Sequence, residues 1–158
     1  MFTRAIRVFV AAVLGVCGVS VAQAQEVSVR DAWVRGTVKG QSATGAFMEL
    51  NARTNARLVG ASSPVAKVVE VHNMTMENGV MKMFAVEAVD LPAGKPVRLA
   101  PGGFHVMLME LHKPLSAGDK VPLRLTFELA NKQRENVDLQ VDVRDVKGQP
   151  AKGHHHGH

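Results

Sequence analysis

Residues 72–83 read HNMTMENGVMKM, one histidine and four methionines in twelve positions. At its centre, Asn78-Gly79 is the strongest two-residue hairpin signal, because both positions accept the positive φ of a type I′ turn. With those two residues as the loop, positions facing each other across the hairpin have numbers adding to 157. Met76 then opposes Met81, Met74 opposes Met83, and His72 opposes Ala85. Side chains alternate along a strand, so His72, Met74, Met76, Met81 and Met83 are expected on one face. His72 and Met83 become diagonal neighbours whose long side chains can converge on one atom.

Strand-like runs extend outward from this hairpin in both directions. Residues 26–34, 46–51, 58–61, 66–76, 80–89, 96–100, 104–111, 123–129 and 136–143 are short and rich in Val, Leu, Met and Phe. Turn clusters such as Gly40-Gln41-Ser42, Pro92-Ala93-Gly94, Pro101-Gly102-Gly103 and Ala117-Gly118-Asp119 separate them. No segment holds a helical period over three turns. Eight or nine strands at this spacing predict one all-β domain, a Greek-key sandwich or barrel.

A second soft cluster obeys the same alternation. In GGFHVMLMEL, residues 102–111, His105, Met107 and Met109 fall on one face and Phe104, Val106 and Leu108 on the other. The Phe/Val/Leu face is an ordinary core face. The His/Met/Met face repeats the donor types of the hairpin, whereas His112 falls on the opposite side by parity. Methionine is a common core filler, and a Met-rich surface also suits protein docking. Packing does not explain why His accompanies Met at i and i+2 twice. The chemistry that needs both is Cu(I), which accepts thioether sulfur alongside imidazole, while Zn²⁺, Mg²⁺ and Ca²⁺ seldom use thioethers.

The two ends of the chain read differently from the middle. Arg4 and Arg7 precede an apolar run, Val8 to Val21, and Ala22-Gln23-Ala24 supplies an A-x-A cleavage signal. Residues 1–24 are therefore expected to be a cleaved export signal, with a mature start at Gln25 and a periplasmic location. The run is too short to span a bilayer comfortably, so no membrane anchor is expected in the mature form. Lipidation at Cys17 is disfavoured because Val16 stands where a small residue is expected. Residues 25–146 form the expected β domain, and 147–158 a flexible His-rich tail. In that tail, His154, His155, His156 and His158 form an expected second site for Cu(II) that raises the local copper concentration.

Composition removes several functions. Losing Arg4 and Arg7 lowers the basic residues from 19 to 17 against 14 acidic ones, a scattered excess that gives nucleic-acid binding little support. Cys17 is the only cysteine, so the mature chain has no disulfide and no thiolate for a blue-copper electron-transfer site. Gln25 at the mature start excludes an oxygenase built on an N-terminal histidine. No carboxylate joins His72 or His105 at zinc-hydrolase spacing, and no nucleophile constellation is evident, so the chain is not expected to be an enzyme.

The spacing His72, ten residues, Met83, twenty-one residues, His105, one residue, Met107 resembles the H-x10-M-x21-H-x-M signature of the periplasmic copper chaperones called PCu(A)C. DAWVRG, ATGAFMEL, LVGASSPVAKVVEVHNM, NGVMKM, LPAGKPVRLAPGGFHVMLMEL and DKVPLRLTFE are similar to that family's pattern, and the resemblance runs from about Val27 to Leu129. It implies a cupredoxin-like β-barrel with one exposed Cu(I), held by His72, Met83, His105 and Met107. It also implies delivery of copper toward the CuA centre of cytochrome c oxidase, with oxidase subunit II or a thiol-bearing Sco protein as partner. Met74, Met76, Met81 and Met109 fall outside the signature and read as a weakly coordinating collar. Periplasmic copper buffering or resistance, and a Met-rich interaction module, are the alternatives.

Overall fold

A computed structural model describes residues 24–145. The export signal up to residue 23 and the tail from residue 146 onward, with His154, His155, His156 and His158, lie outside the described residues. The strands are β1 (Val27–Arg35), β2 (Ala43–Ala52), β3 (Ala56–Ser62), β4 (Ala66–Glu77), β5 (Val80–Ala85), β6 (Val89–Leu91), β7 (Val97–Leu99), β8 (His105–Leu111), β9 (Lys120–Leu129) and β10 (Arg134–Arg144). Among the described residues the fold is all-β, and every strand except β6 coincides with one of the expected runs.

One expectation is corrected. Residues 80–89 do not form one strand: β5 ends at Ala85, and Val89 begins a separate strand, β6. After Ala85 the Val86 amide donates to the Val71 carbonyl at 2.9 Å, which turns the chain back over β4. The three residues of β6 then pair with β3, at the far end of the sheet from β5. A long-range partner, not a local break signal, divides the run and raises the strand count to ten.

Along the sheet the order is β5-β4-β8-β2-β1-β10-β9-β3-β6, open at β5 and β6, with β7 pairing the second half of β2. All pairs are antiparallel except β1 with β10. Leu50 on β2, Leu58 on β3, Leu91 on β6, Leu108 on β8 and Phe127 on β9 belong to one buried cluster. Strands so distant along the path share a core only if the sheet folds over on itself, giving a cupredoxin-like sandwich. Burying each such side chain contributes about 1.5–3 kcal/mol.

Alternation sorts the remaining side chains. On β2 the core takes Ala46, Met48, Leu50 and Ala52, and on β8 it takes Val106 and Leu108. On β4 it takes Val71, with Val69 packed against it. The intervening residues Phe47, His72, His105 and Met107 therefore project from the outer surface of three neighbouring strands. A bulge in β1 adds one more residue to that surface. The register shifts between Arg30 and Trp33, and Asp31 takes a φ of 50°. The shift reverses parity, so Val27 and Val34 both enter the core while Trp33 faces outward.

Candidate metal centre

The β4–β5 hairpin has the expected register, with His72 opposite Ala85, Met74 opposite Met83 and Met76 opposite Met81. Asn78 and Gly79 adopt φ values of 50° and 77°, the left-handed pair that a type I′ turn requires. In such a loop the flanking pair, Glu77 and Val80, is the hydrogen-bonded one. Alternation then places both methionine pairs at non-hydrogen-bonded positions, where facing side chains come closest. On its other side β4 pairs with β8 so that His72 lies directly opposite His105 and Glu70 opposite Met107. The two imidazole rings sit edge to face, 5.8 Å between centroids.

A second layer holds the His105 ring. Phe47 is buried yet stands outside the main core, and its ring lies 6.2 Å from His105 and 4.6 Å from Trp33. The Arg35 guanidinium covers the same Phe47 ring at 5.4 Å, and that of Arg144 covers Trp33 at 6.0 Å. Gly45 makes room for this stack. A Cβ at Gly45 would lie 2.8 Å from Phe47 Cζ, so any larger residue pushes the ring away. Phe47, Gly45, Met74, Met83, His105 and Met107 line one cavity of about 190 Å³, with Arg35 at its wall.

The hydrogen bonds define which nitrogens face inward. His105 is 5 % exposed, and its Nδ1 lies 2.9 Å from the Gly103 carbonyl. A carbonyl only accepts, so in the neutral ring Nδ1 carries the proton and Nε2 the lone pair. That Nε2 lies 3.2 Å from Met83 Sδ. Two electron-pair donors therefore face one another, an arrangement that a cation between them relieves. His72 has the complementary arrangement. Its Nε2 lies 2.8 Å from Glu70 Oε2, and its buried Nδ1 has no hydrogen-bond partner among the described residues. Hydrogen bonds of this kind fix the tautomer and orientation of metal-binding imidazoles. Among the described residues no group of three or more His, Cys, Asp or Glu gathers at a metal-holding distance, and the further side-chain donors at this cavity include the sulfurs of Met74, Met83 and Met107.

The expected residues divide into three groups. Met83, His105 and Met107 share the cavity, and His72 stands beside His105. Met74 also lines the cavity. Met109 lies two positions along β8 from Met107, opposite Val68 and Ala43, while Met76 and Met81 occupy the exposed hairpin end. Sequence reasoning did not single out Glu70, Gly103, Gly45 or Phe47. Parity alone puts Glu70 on the face of His72, so that one was within reach.

Comparison with known proteins agrees with this fold. Residues 27–141 match the family model described as "Putative lipoprotein LpqE-like". "Putative lipoprotein Lxx21020" of Leifsonia xyli is 35 % identical over 80 % of this chain and 74 % of its own length. The solution structure of apo-DR1885 from Deinococcus radiodurans is 28 % identical with a TM-score of 0.56, covering 94 % of this chain and 99 % of that one. Its Cu(I) form is 30 % identical with a TM-score of 0.52, over 77 % and 81 %. The copper-bound PCuAC domain from PmoF2, at 23 % identity and TM-score 0.57 over 76 % and 95 %, shares the fold. The fold is that of a PCuAC-type domain. The chain belongs to the LpqE-like family.

Proposed function

We propose that the protein is a periplasmic copper chaperone that binds one Cu(I) through His72, Met83, His105 and Met107. The observation that carries this reading is the approach of His105 Nε2 to Met83 Sδ at 3.2 Å, with the Nδ1 proton held by the Gly103 carbonyl. An imidazole nitrogen and a thioether turned toward each other form a soft, cysteine-free donor pair. Such a pair favours Cu(I) over harder divalent ions. Met107 lines the same cavity, and His72, whose ring lies 5.8 Å from that of His105 and whose Nδ1 has no hydrogen-bond partner among the described residues, is the proposed fourth donor. Copper is the cargo of this site.

Titration with Cu(I) against a competing chelator tests the site. His105→Ala and Met83→Leu lower the affinity by about 10–100-fold or more, the scale on which even outer partners of a metal site act. Affinity unchanged in both variants refutes the site.

Delivery to the CuA centre of cytochrome c oxidase, directly or through a Sco-type partner, is the proposed destination. Oxidase activity in a deletion strain at limiting copper tests it. Activity that does not fall shifts the assignment to periplasmic copper buffering.

Export follows from the signal reading of residues 1–24, and the lipoprotein names of relatives also belong to exported proteins. A mature mass corresponding to a start at Gln25, rather than to a lipid-modified Cys17, tests that cleavage. The His-rich tail is proposed to gather Cu(II). Removing residues 153–158 then abolishes a Cu(II) site and leaves Cu(I) binding intact.

A further inference from the structure

The end of the β4–β5 hairpin carries sulfur where packing has no use for it. Met76 and Met81 face each other across the hairpin, 67 % and 46 % exposed, and neither lines the cavity. The next rung inward is Met74 and Met83. Met83 then touches His105. Successive same-face rungs are about 6.8 Å apart along a strand. Soft donors therefore form a continuous series from solvent to the imidazoles, with no oxygen or charged side chain between them on that face.

We propose that Met76 and Met81 form an outer entry site that captures Cu(I) and passes it by ligand exchange to Met74 and Met83, and from there to His105. This rests on the Cu(I) reading of the inner site. Cross-strand neighbours at a non-hydrogen-bonded position have Cβ atoms about 4.5–5.5 Å apart, and two flexible thioethers at that spacing can hold one Cu(I) in two-coordinate fashion. The transfer is an exchange of donors, without change of oxidation state. An ion held at the tip is already close to the next pair, so its effective concentration there is high although the outer pair binds weakly. The outer pair thus governs the rate of loading, while the histidine centre governs affinity.

Leucine is the informative substitution, because it keeps an apolar side chain of similar size on an exposed strand and removes only the sulfur. The full chain is mixed rapidly with Cu(I) supplied as a chromogenic chelator complex, and loading is followed by loss of the chelator's colour. In Met76→Leu/Met81→Leu, the loading rate falls about tenfold while the equilibrium affinity stays within about twofold of the parent chain. A second measurement reads the outer site directly. In His72→Ala/His105→Ala, added Cu(I) still shifts the methyl resonances of Met76 and Met81, and the absence of any shift overturns the entry site. An unchanged loading rate overturns the entry site. So does an affinity loss that accounts for the whole rate change, because the two methionines then act as ligands of the inner centre. Failure of the inner site appears separately, as undiminished affinity in the His72→Ala/His105→Ala chain.

Discussion

The strands β9 and β10 and the hairpin β4–β5 obey one rule of alternation and use it for opposite ends. On β9 the inward set Val121, Leu123, Leu125 and Phe127 is wholly buried, and on β10 Val137, Val141 and Val143 join the same cluster. On β5 every residue is exposed, including Val80, Met81, Met83 and Phe84. The first pair of strands stabilises the fold through its apolar face. The second leaves a comparable face uncovered, and there the residues change from Val and Leu to Met. Where alternation ends in a core, side-chain volume decides the residue. Where it ends in solvent beside two histidines, donor chemistry decides it.

The strongest way to break that division is to move a large deletion from one region to the other. Phe127→Ala leaves a cavity in the core and is expected to lower stability by about 3–5 kcal/mol, measured by denaturant unfolding of the metal-free chain. Met83→Ala removes a half-exposed side chain and should change unfolding by no more than about 0.5 kcal/mol, its effect falling on copper. A loss of several kcal/mol in Met83→Ala would place the hairpin within the cooperative core.

Gly45 lies where the two regions meet. Gly45→Val drives a side chain into the Phe47 ring that supports His105. The expected cost is about 1–3 kcal/mol of stability, together with a fall in Cu(I) affinity. Stability lost with affinity intact would separate the ring stack from the site. Glu70→Ala sharpens the comparison further, since Glu70 is an exposed residue bonded to His72. Loss of its hold on His72 is expected to weaken Cu(I) binding by about tenfold, with Glu70→Gln restoring much of it as a neutral acceptor.

The smallest effect belongs to the surface of the stable region. Arg124 forms a two-pronged pair with Asp138, its Nε and an Nη donating at 2.6 and 2.9 Å, and this hydrogen bonding holds the Asp138 carboxyl below its ordinary range. A lowered carboxylate contributes stability that is present above its ordinary range and is lost as pH falls through the lowered value. Asp138→Asn should therefore lower stability slightly at neutral pH, with the difference between the two chains vanishing as pH falls through the lowered range, and the effect is small because both groups are exposed. Acid unfolding of the two chains side by side measures the difference.

Much of the site could be read from the sequence because the information was local. Asn78-Gly79 alone determines the register of the hairpin, and parity alone puts His105 with Met107. What could not be read depends on partners far along the chain. That Val86 turns away instead of extending β5 is set by the Val71 carbonyl, and β6 is set by β3. The β1 bulge has no signature in Asp31-Ala32, yet it sends Trp33 outward beneath Phe47. Met107 and Met109 share parity, and only the position of the neighbouring strands decides which of them reaches the cavity.

The parallel pairing of β1 with β10 has a consequence for the order in which the molecule can be completed. Trp33, Val34 and Arg35 lie beside Asp142, Val143 and Arg144, so the earliest strand is secured by the last. The ring stack beneath His105 includes both Trp33 and Arg144. A chain still emerging from the ribosome can close the Asn78-Gly79 hairpin early, since that contact is local. It cannot finish the wall behind His105 until about a hundred further residues of sequence separation have been closed, which is the slow kind of contact. The hairpin can thus present sulfur before the histidine centre exists, and the finished centre is reserved for chains whose final strand has docked.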